Sequence, residues 1–531
     1  MLRGVGLEVP ARTLIRIEGG NGTGKSTLMR LLAGIDAPSE GRVTGRPRTA
    51  YVPERFPAAL PFTATGYLVH LGRVHGLGRG AAERGARDWL ERFGAGEYAR
   101  TPLTELSKGT SQKVAVAQAL LADPELLVLD EAWTGLDAEA RAELDLAVRE
   151  RVAAGGSVVF VDHDPRRLAG SVDAVHRVEG TGVVPVPVSV PVPVSVPVPV
   201  SGPGHVPVAV PRPEVRIEAV PPLPGAALPD DLPLPEPAPD GGLALTVPVA
   251  ESGAVLRALL LAHPPWHVRA VAPPATEGVA HNPPAPVPRA EPRRGGPDTA
   301  RRGRDDRAAP PGIPLLRYQS DLLLRSQRWL APVLLYAAFL AVGVQSGQPV
   351  LDSLGYAAAA LLPVTAWLVR VCANQEPAAT RGIAAAVTGR PRAYLAALAA
   401  ATGWAVALGA VGTAVVALIS KPMSGDQRVE VPLLPAAGAG LLAAVVCVLT
   451  GAAVGALCTR PLLRGRGWSI AATALATLLA LVTTGSPAQA AVRGLVTGSG
   501  TGVVHHPVGP LAAAVLLAAA VAAGVCRMSD D

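Results

Sequence analysis

Nine residues near the amino terminus, Gly19-Gly20-Asn21-Gly22-Thr23-Gly24-Lys25-Ser26-Thr27, have the types and spacing of a phosphate-binding loop, G-x-x-x-x-G-K-[ST]. The glycines let backbone N–H groups converge on phosphate oxygens with no Cβ in the way. Lys25 is placed to bridge β- and γ-phosphates, and Ser26 to give a hydroxyl to Mg²⁺. Leu14, Ile15 and Ile17 ahead of the loop read as a buried strand, and Leu28-Met29-Arg30-Leu31-Leu32 behind it as a helix. The helix start adds its positive dipole end. A chance glycine-rich turn would not have strand, lysine, serine and helix all in register.

A second group of chemical residues ends an apolar run. Leu126-Leu127-Val128-Leu129-Asp130-Glu131 reads as a buried parallel strand delivering two carboxylates at its carboxyl end. Asp130 suits a metal ion, directly or through water, and Glu131 suits orienting or deprotonating a water. A solvated acidic turn is the competing reading. Ser107 and Gly109 precede the helix Val114–Ala122 and make a further anion site, though a Ser-Gly helix cap alone is commonplace. Ser157–Val161 is another apolar strand, followed by Asp162-His163.

The elements that must position these groups run in order. Val5–Val9 and Leu14–Glu18 read as strands, Arg48–Pro53 as a short strand leading to Glu54, and residues 62–100 as a small helical insertion. The order of phosphate loop, Glu54, Leu106–Gln112, Leu126–Glu131, Gly135–Asp137 and His163 resembles that of an ABC-transporter ATPase, in particular the ATPases of ABC-2-type exporters. The resemblance covers residues 1–182. It implies an α/β P-loop NTPase domain using ATP and Mg²⁺. Gly19–Thr27 become the Walker A loop, Asp130 and Glu131 the Walker B pair, Glu54 the Q-loop position and Asp137 the D-loop. His163 becomes the switch histidine near the γ-phosphate. Ser107, Lys108, Gly109 and Thr110 become the signature that meets ATP bound to a second subunit. Glu54, Glu131 and His163 carry catalysis on this reading, and Ser26, Asp130 and Glu54 hold the metal. Three features depart from the family pattern. Glu54 stands where Gln is usual, Lys108 stands where a second Gly is usual, and no adenine-stacking aromatic precedes the phosphate loop. The last implies weaker adenine contact or a start further upstream.

The rest of the 531 residues differs in composition. Val184–Ser201 is three copies of Val-Pro-Val-Pro-Val-Ser, for which extended polyproline II is expected. Residues 183–212 thus form a spacer. Residues 213–273 read strand, strand, helix, strand and resemble a small α+β accessory domain, and the Pro- and Arg-rich 274–312 reads as a disordered linker. Residues 313–531 are rich in Ala, Leu, Val and Gly. Arg317–Arg328 reads as an interfacial helix. Apolar segments follow at 329–344, 354–371, 394–419, 433–457, 468–482 and 508–525, without the polar stripe of a water-soluble bundle.

Loop arginines orient these segments. Arg381, Arg390 and Arg392 follow the second, Arg460, Arg464 and Arg466 the fourth, and Arg527 the sixth, so both termini are expected in the cytoplasm. Six spans so placed look like an ABC-2-type permease, with 483–507 as its outer re-entrant region. The net charge of +6 resides largely in the linker and these loops, which favours an anionic membrane surface over nucleic acid. Four cysteines, all in the apolar half, lack metal or redox spacing. No signal peptide opens the sequence, so the ATPase half is expected in the cytoplasm.

The expected architecture is therefore an α/β ABC ATPase joined through a Pro-rich linker to an all-α six-helix transmembrane domain. The expected function is export of an amphipathic or apolar compound by a homodimer, or a pair with a related half-transporter, in the cell membrane. A membrane-anchored ATPase with a regulatory or sensing role is the alternative.

Overall fold

Apolar runs become strands where parallel neighbours can bury both of their faces. In a computed structural model of the chain, β1 (Leu14–Glu18), β3 (Leu126–Asp130) and β4 (Ser157–Val161) lie at the centre of a six-stranded sheet, with Leu127, Val128 and Leu129 fully buried. The structure describes residues 2–187 except 46, 57 and 58, then 214–220, 236–237, 243–248, 255, 258–259, 266–272, 312–459 and 466–530. β2 (Thr49–Val52), β5 (Ala174–Glu179) and β6 (Gly182–Val186) complete the sheet in the order β2-β3-β4-β1-β5-β6. All pairings are parallel except β5–β6. Five helices accompany it: α1 (Lys25–Leu32), α2 (Ala64–Val74), α3 (Arg79–Arg92), α4 (Lys108–Leu121) and α5 (Ala138–Ala153).

Two expectations change here. Residues 5–9 are not a strand: Val5, Leu7 and Val9 only lean on the core, half-buried. The first Val-Pro copy is not wholly spacer. Val184-Pro185-Val186 pair with β5 as an edge strand, where proline's missing donor can face away from the sheet. The remaining copies lie outside the described residues, as does 274–311.

A second compact unit holds an antiparallel sheet, β10-β7-β9-β8, from β7 (Glu214–Val220), β8 (Glu236–Pro237), β9 (Leu243–Pro248) and β10 (His267–Ala272). Its core gathers Ile217, Leu245, Val247, Leu259 and Trp266.

The carboxyl-terminal half is helical: α6 (Gly312–Arg325), α7 (Leu330–Gly343), α8 (Val350–Gln375), α9 (Ala378–Thr388), α10 (Arg390–Ile419), α11 (Leu433–Leu457), α12 (Arg466–Val482), α13 (Pro487–Thr501) and α14 (Val508–Asp530). Four of them, α8, α10, α11 and α14, are long and apolar enough to cross a membrane. The α12–α13 pair, bent by 44°, makes five if it counts as one span. α7, with 14 residues, falls short of the expected span. Small residues bring α11 against α8. A Cβ on Gly451 would stand 2.5 Å from the Leu362 carbonyl oxygen, and one on Gly455 2.9 Å from that of Ala366.

The helical half and the α/β domain share a core. Leu315, Tyr318 and Leu322 of α6, with Ile383 and Ala384 of α9, join the same buried cluster as Phe62, Tyr67 and Leu71. The segment expected to lie along the membrane surface instead buries its apolar face in protein, leaving Ile313, Leu316 and Leu324 exposed.

Candidate functional site

The phosphate loop takes its shape from glycine. Gly22 and Gly24 have φ of +79° and +106°, a left-handed region costly for other residues. Gly19 is crowded as well: a Cβ there would stand 2.9 Å from Thr23 Oγ1 and 3.0 Å from the Val178 carbonyl oxygen. Gly24 directly precedes α1, so Lys25, Ser26 and Thr27 lie on its first turn, where backbone N–H groups are free for an anion. The Lys25 Nζ donates to the carbonyls of Gly19 and Gly20, each at 2.9 Å.

β3 ends beside this loop. Ser26 Oγ donates to Asp130 Oδ1 at 3.2 Å, and Tyr51 Oη of β2 donates to Asp130 Oδ2 at 3.2 Å. Asp130 is 2% exposed. Burial pushes its carboxyl up, the Ser26 and Tyr51 hydroxyls pull it back, and the nearby charges of Glu131 and Glu54 push it further up. A buried carboxylate bonded to a serine hydroxyl has the donor chemistry of a cation site. Among the described residues no three His, Cys, Asp or Glu side chains form a self-contained metal centre. Mg²⁺ fits the remaining set: Ser26 and Asp130 would hold it together with phosphate oxygens, and it would offset charge developing there.

Glu131 follows at φ +53°, a strained value for a residue with a side chain, and its N–H donates to the Val161 carbonyl at 3.1 Å. Its Oε1 meets His163 Nε2 at 2.9 Å. Glu131 and His163 therefore stand together at the carboxyl ends of β3 and β4. Glu54 is near enough to influence Asp130 but hydrogen-bonds neither it nor Ser26, and pairs with Arg55 at 3.4 Å. An acid, a base-oriented histidine and a phosphate cradle in this order can align water against a terminal phosphate.

Ser107, Lys108, Gly109 and Thr110 form a separate cluster. No hydrogen bond or ion pair among the described residues joins them to residues 19–27. Ser107 caps α4, its Oγ accepting from Thr110 N–H at 3.1 Å. A Cβ on Gly109 would stand 2.9 Å from the Gly135 carbonyl oxygen. Lys113 pairs with Asp137 at 2.7 Å, and Asp137 caps α5 through Ala140 N–H. The Lys113 ammonium and that N–H hold the Asp137 carboxyl below its ordinary range.

The sequence pattern did not single out Tyr51 or Arg16. Arg16 carried a signal: a charge inside an otherwise apolar strand is out of place unless partnered.

The domain that carries these residues is similar to known proteins. The family described as "ABC transporter" matches residues 2–134. The zinc import ATP-binding protein ZnuC of Cereibacter sphaeroides is 41% identical over 180 residues, covering 33% of this chain and 71% of that protein. The uncharacterized ABC transporter ATP-binding protein YhaQ of Bacillus subtilis is 34% identical over 169 residues, 30% of this chain and 57% of its own. A solved structure described as "Structure of ATP binding subunit of ABC transporter" aligns at 25% identity and a TM-score of 0.33 over 34% of this chain and 81% of that one. Through its amino-terminal third the chain belongs to the ABC transporter ATP-binding family, and that domain is an ATP-hydrolysing P-loop NTPase.

Proposed function

We propose that the chain is half of an ATP-driven exporter of the ABC-2 type, with ATPase and permease in one polypeptide. The observation that carries this reading is the shared core, in which α6 and α9 of the helical half pack among the ATPase residues Phe62, Tyr67 and Leu71. A movement of α2 would then act on α6 and α9, which adjoin the apolar helices in sequence. Two copies would bind two ATP molecules, each between one chain's Gly19–Thr27 and the other's Ser107–Thr110. Lys25 would leave the Gly19 and Gly20 carbonyls for phosphate, Ser26 and Asp130 would hold Mg²⁺ with Glu54 nearby, and Glu131 with His163 would align water. Asp137 would join the contact between copies.

On this reading the short α7 and the α12 arm of the bent pair count as spans beside the four long helices α8, α10, α11 and α14, six in all with both termini in the cytoplasm, and α13 is the outer re-entrant segment. The cargo is amphipathic or apolar, moved outward across the cell membrane. Names of relatives that specify import make direction part of the test.

Full-length protein in lipid vesicles, beside Lys25→Ala, provides that test. ATP-dependent accumulation of amphipathic dyes by vesicles with the ATPase domain outside, lost in Lys25→Ala, is expected. Movement only in the opposite direction would sink export. Hydrolysis with no movement of any compound, responding only to a partner protein, would favour the regulatory reading.

A further inference from the structure

The strand that feeds the phosphate loop carries a charge that never reaches that loop. Arg16, central in β1, is 5% exposed. Its guanidinium lies over the Phe160 ring of β4, 5.9 Å from the centroid. Nη1 donates to the Pro165 carbonyl at 2.8 Å, and Nη2 to the carbonyls of Asp164 at 2.9 Å and Asp162 at 3.3 Å. Nε pairs with Glu18 at 3.2 Å. The three carbonyls bracket His163.

Residues 162–165 belong to no helix or strand, so no ladder fixes them. The His163 side chain is 59% exposed. Packing therefore does little to hold it against Glu131. Its own turn bonds, Asp164 N–H to Asp162 Oδ1 at 2.7 Å and Arg166 N–H to Asp164 Oδ1 at 2.9 Å, shape the segment locally, and two arginines tie it to the rest of the domain. Arg16 grips its backbone, and Arg167 reaches the Asp162 carboxylate at 3.3 Å and Asp145 at 3.1 Å. Only a forked guanidinium supplies several donors in a fixed plane; lysine offers a single point charge. An apolar residue would serve β1 equally well as packing, so strand stability alone gives no reason for arginine here.

We infer that Arg16 is a positioning residue for ATP hydrolysis: it fixes the backbone of residues 162–165 so that His163 stands at Glu131. The inference rests on the proposed role of His163 in turnover. Arg16 hydrogen-bonds Pro165, Asp164 and Asp162 rather than the phosphate loop, and acts through the histidine.

The experiment is a double-mutant cycle in the full chain in lipid, with Arg16→Leu, Arg16→Lys, His163→Ala and Arg16→Leu/His163→Ala. Turnover, the KM for ATP, nucleotide binding and melting temperature are read for each. Arg16→Leu is expected to lower kcat by about tenfold, in the range for residues sharing one network, with KM and nucleotide binding within about twofold. Arg16→Lys should recover part of the loss. The double variant should be no slower than His163→Ala alone, because the arginine then has nothing left to position.

Folded Arg16→Leu protein with parental kcat would overturn the inference. So would a double variant slowed below His163→Ala by the full factor seen in the single variant. If His163→Ala itself turns over normally, the role of the histidine fails instead, a different result from either of these. Should Arg16→Leu not fold, Arg16→Gln, which keeps an amide donor, takes its place in the cycle with the same two overturning results.

Discussion

Glu131 sets stability against chemistry at a single residue. Its φ of +53° places a side-chain-bearing residue in the left-handed region, at a cost of about 1–2 kcal/mol. The strain brings its carboxylate to His163 at 2.9 Å while its N–H stays bonded to Val161. Glycine would relieve the strain, so Glu131→Gly should gain up to about 1 kcal/mol in chemical denaturation while losing turnover. Glu131→Gln keeps the shape but cannot accept a proton. It should lower the steady-state rate of phosphate release about a hundredfold or more with ATP binding retained, as for loss of a general base. Parental turnover in Glu131→Gln would remove the residue from catalysis. A Glu131→Gly protein less stable than the parent would show that the carboxylate contributes more to folding than its backbone costs. Both carboxylates at this site are legible as the end of an apolar run. The φ of Glu131 is not, because it follows from how β3 ends against β4.

At the scale of the element, α2 ends on a histidine whose ring is half-buried and whose Nε2 is sealed from solvent with no hydrogen-bond partner among the described residues. Burial, helped by the charge of Arg48, pushes the His75 imidazole down to about 4. The folded value lies below the unfolded one of about 6.5, so the unfolded chain takes up the proton first. Stability contributed by neutral His75 is therefore full above about pH 6.5. It falls as the pH drops toward 4, by up to about 3 kcal/mol. His75→Phe should flatten this part of the profile. Denaturant melts of parent and variant at pH 7.5 and 5 check it, since the difference between them isolates one group. Equal losses in both would refute it. Elements were readable where burial is two-sided: β1, β3 and β4 are apolar runs because parallel neighbours cover both faces. Where partners decide, the pattern of the residues alone does not. Val5–Val9 alternates like a strand but finds no sheet edge, whereas Val184–Val186 reads as spacer yet finds β5. The apolar face of α6 suited a membrane surface in sequence, and only the fold supplies Phe62 and Tyr67 to cover it.

At the scale of the whole molecule, the joint between ATPase and helical half is polar at its centre. Glu376, just past α8, accepts from Tyr318 Oη at 2.9 Å and from Gln319 Nε2 at 3.1 Å, and all three are buried. Burial pushes the Glu376 carboxyl up, while Tyr318, Gln319 and Arg381 pull it down. The Tyr318 ring stacks on Phe62 at 5.6 Å, and His70 of α2 meets Asp321 of α6 at 3.2 Å. Tyr67 Oη, Gln319 Oε1 and Thr380 Oγ1 are buried there with no hydrogen-bond partner among the described residues. A joint built only for stability would be apolar, since unsatisfied buried groups each cost about 1–3 kcal/mol. A joint that must change partners during a cycle can leave acceptors and donors open for the second arrangement. Tyr318→Phe keeps the ring against Phe62 and removes one of the two donors to Glu376. It should destabilise the full chain by about 1–3 kcal/mol, seen as a lower melting temperature in lipid. Glu376→Gln keeps an acceptor for Tyr318 and discards the buried charge, so it should cost less or nothing. If the joint transmits motion, Tyr318→Phe lowers ATP-driven dye movement more than it lowers hydrolysis, because the nucleotide residues are untouched. Equal proportional losses of the two would make the joint a static prop. An unchanged ratio together with an unchanged melting temperature would mean the Tyr318–Glu376 bond contributes to neither folding nor coupling.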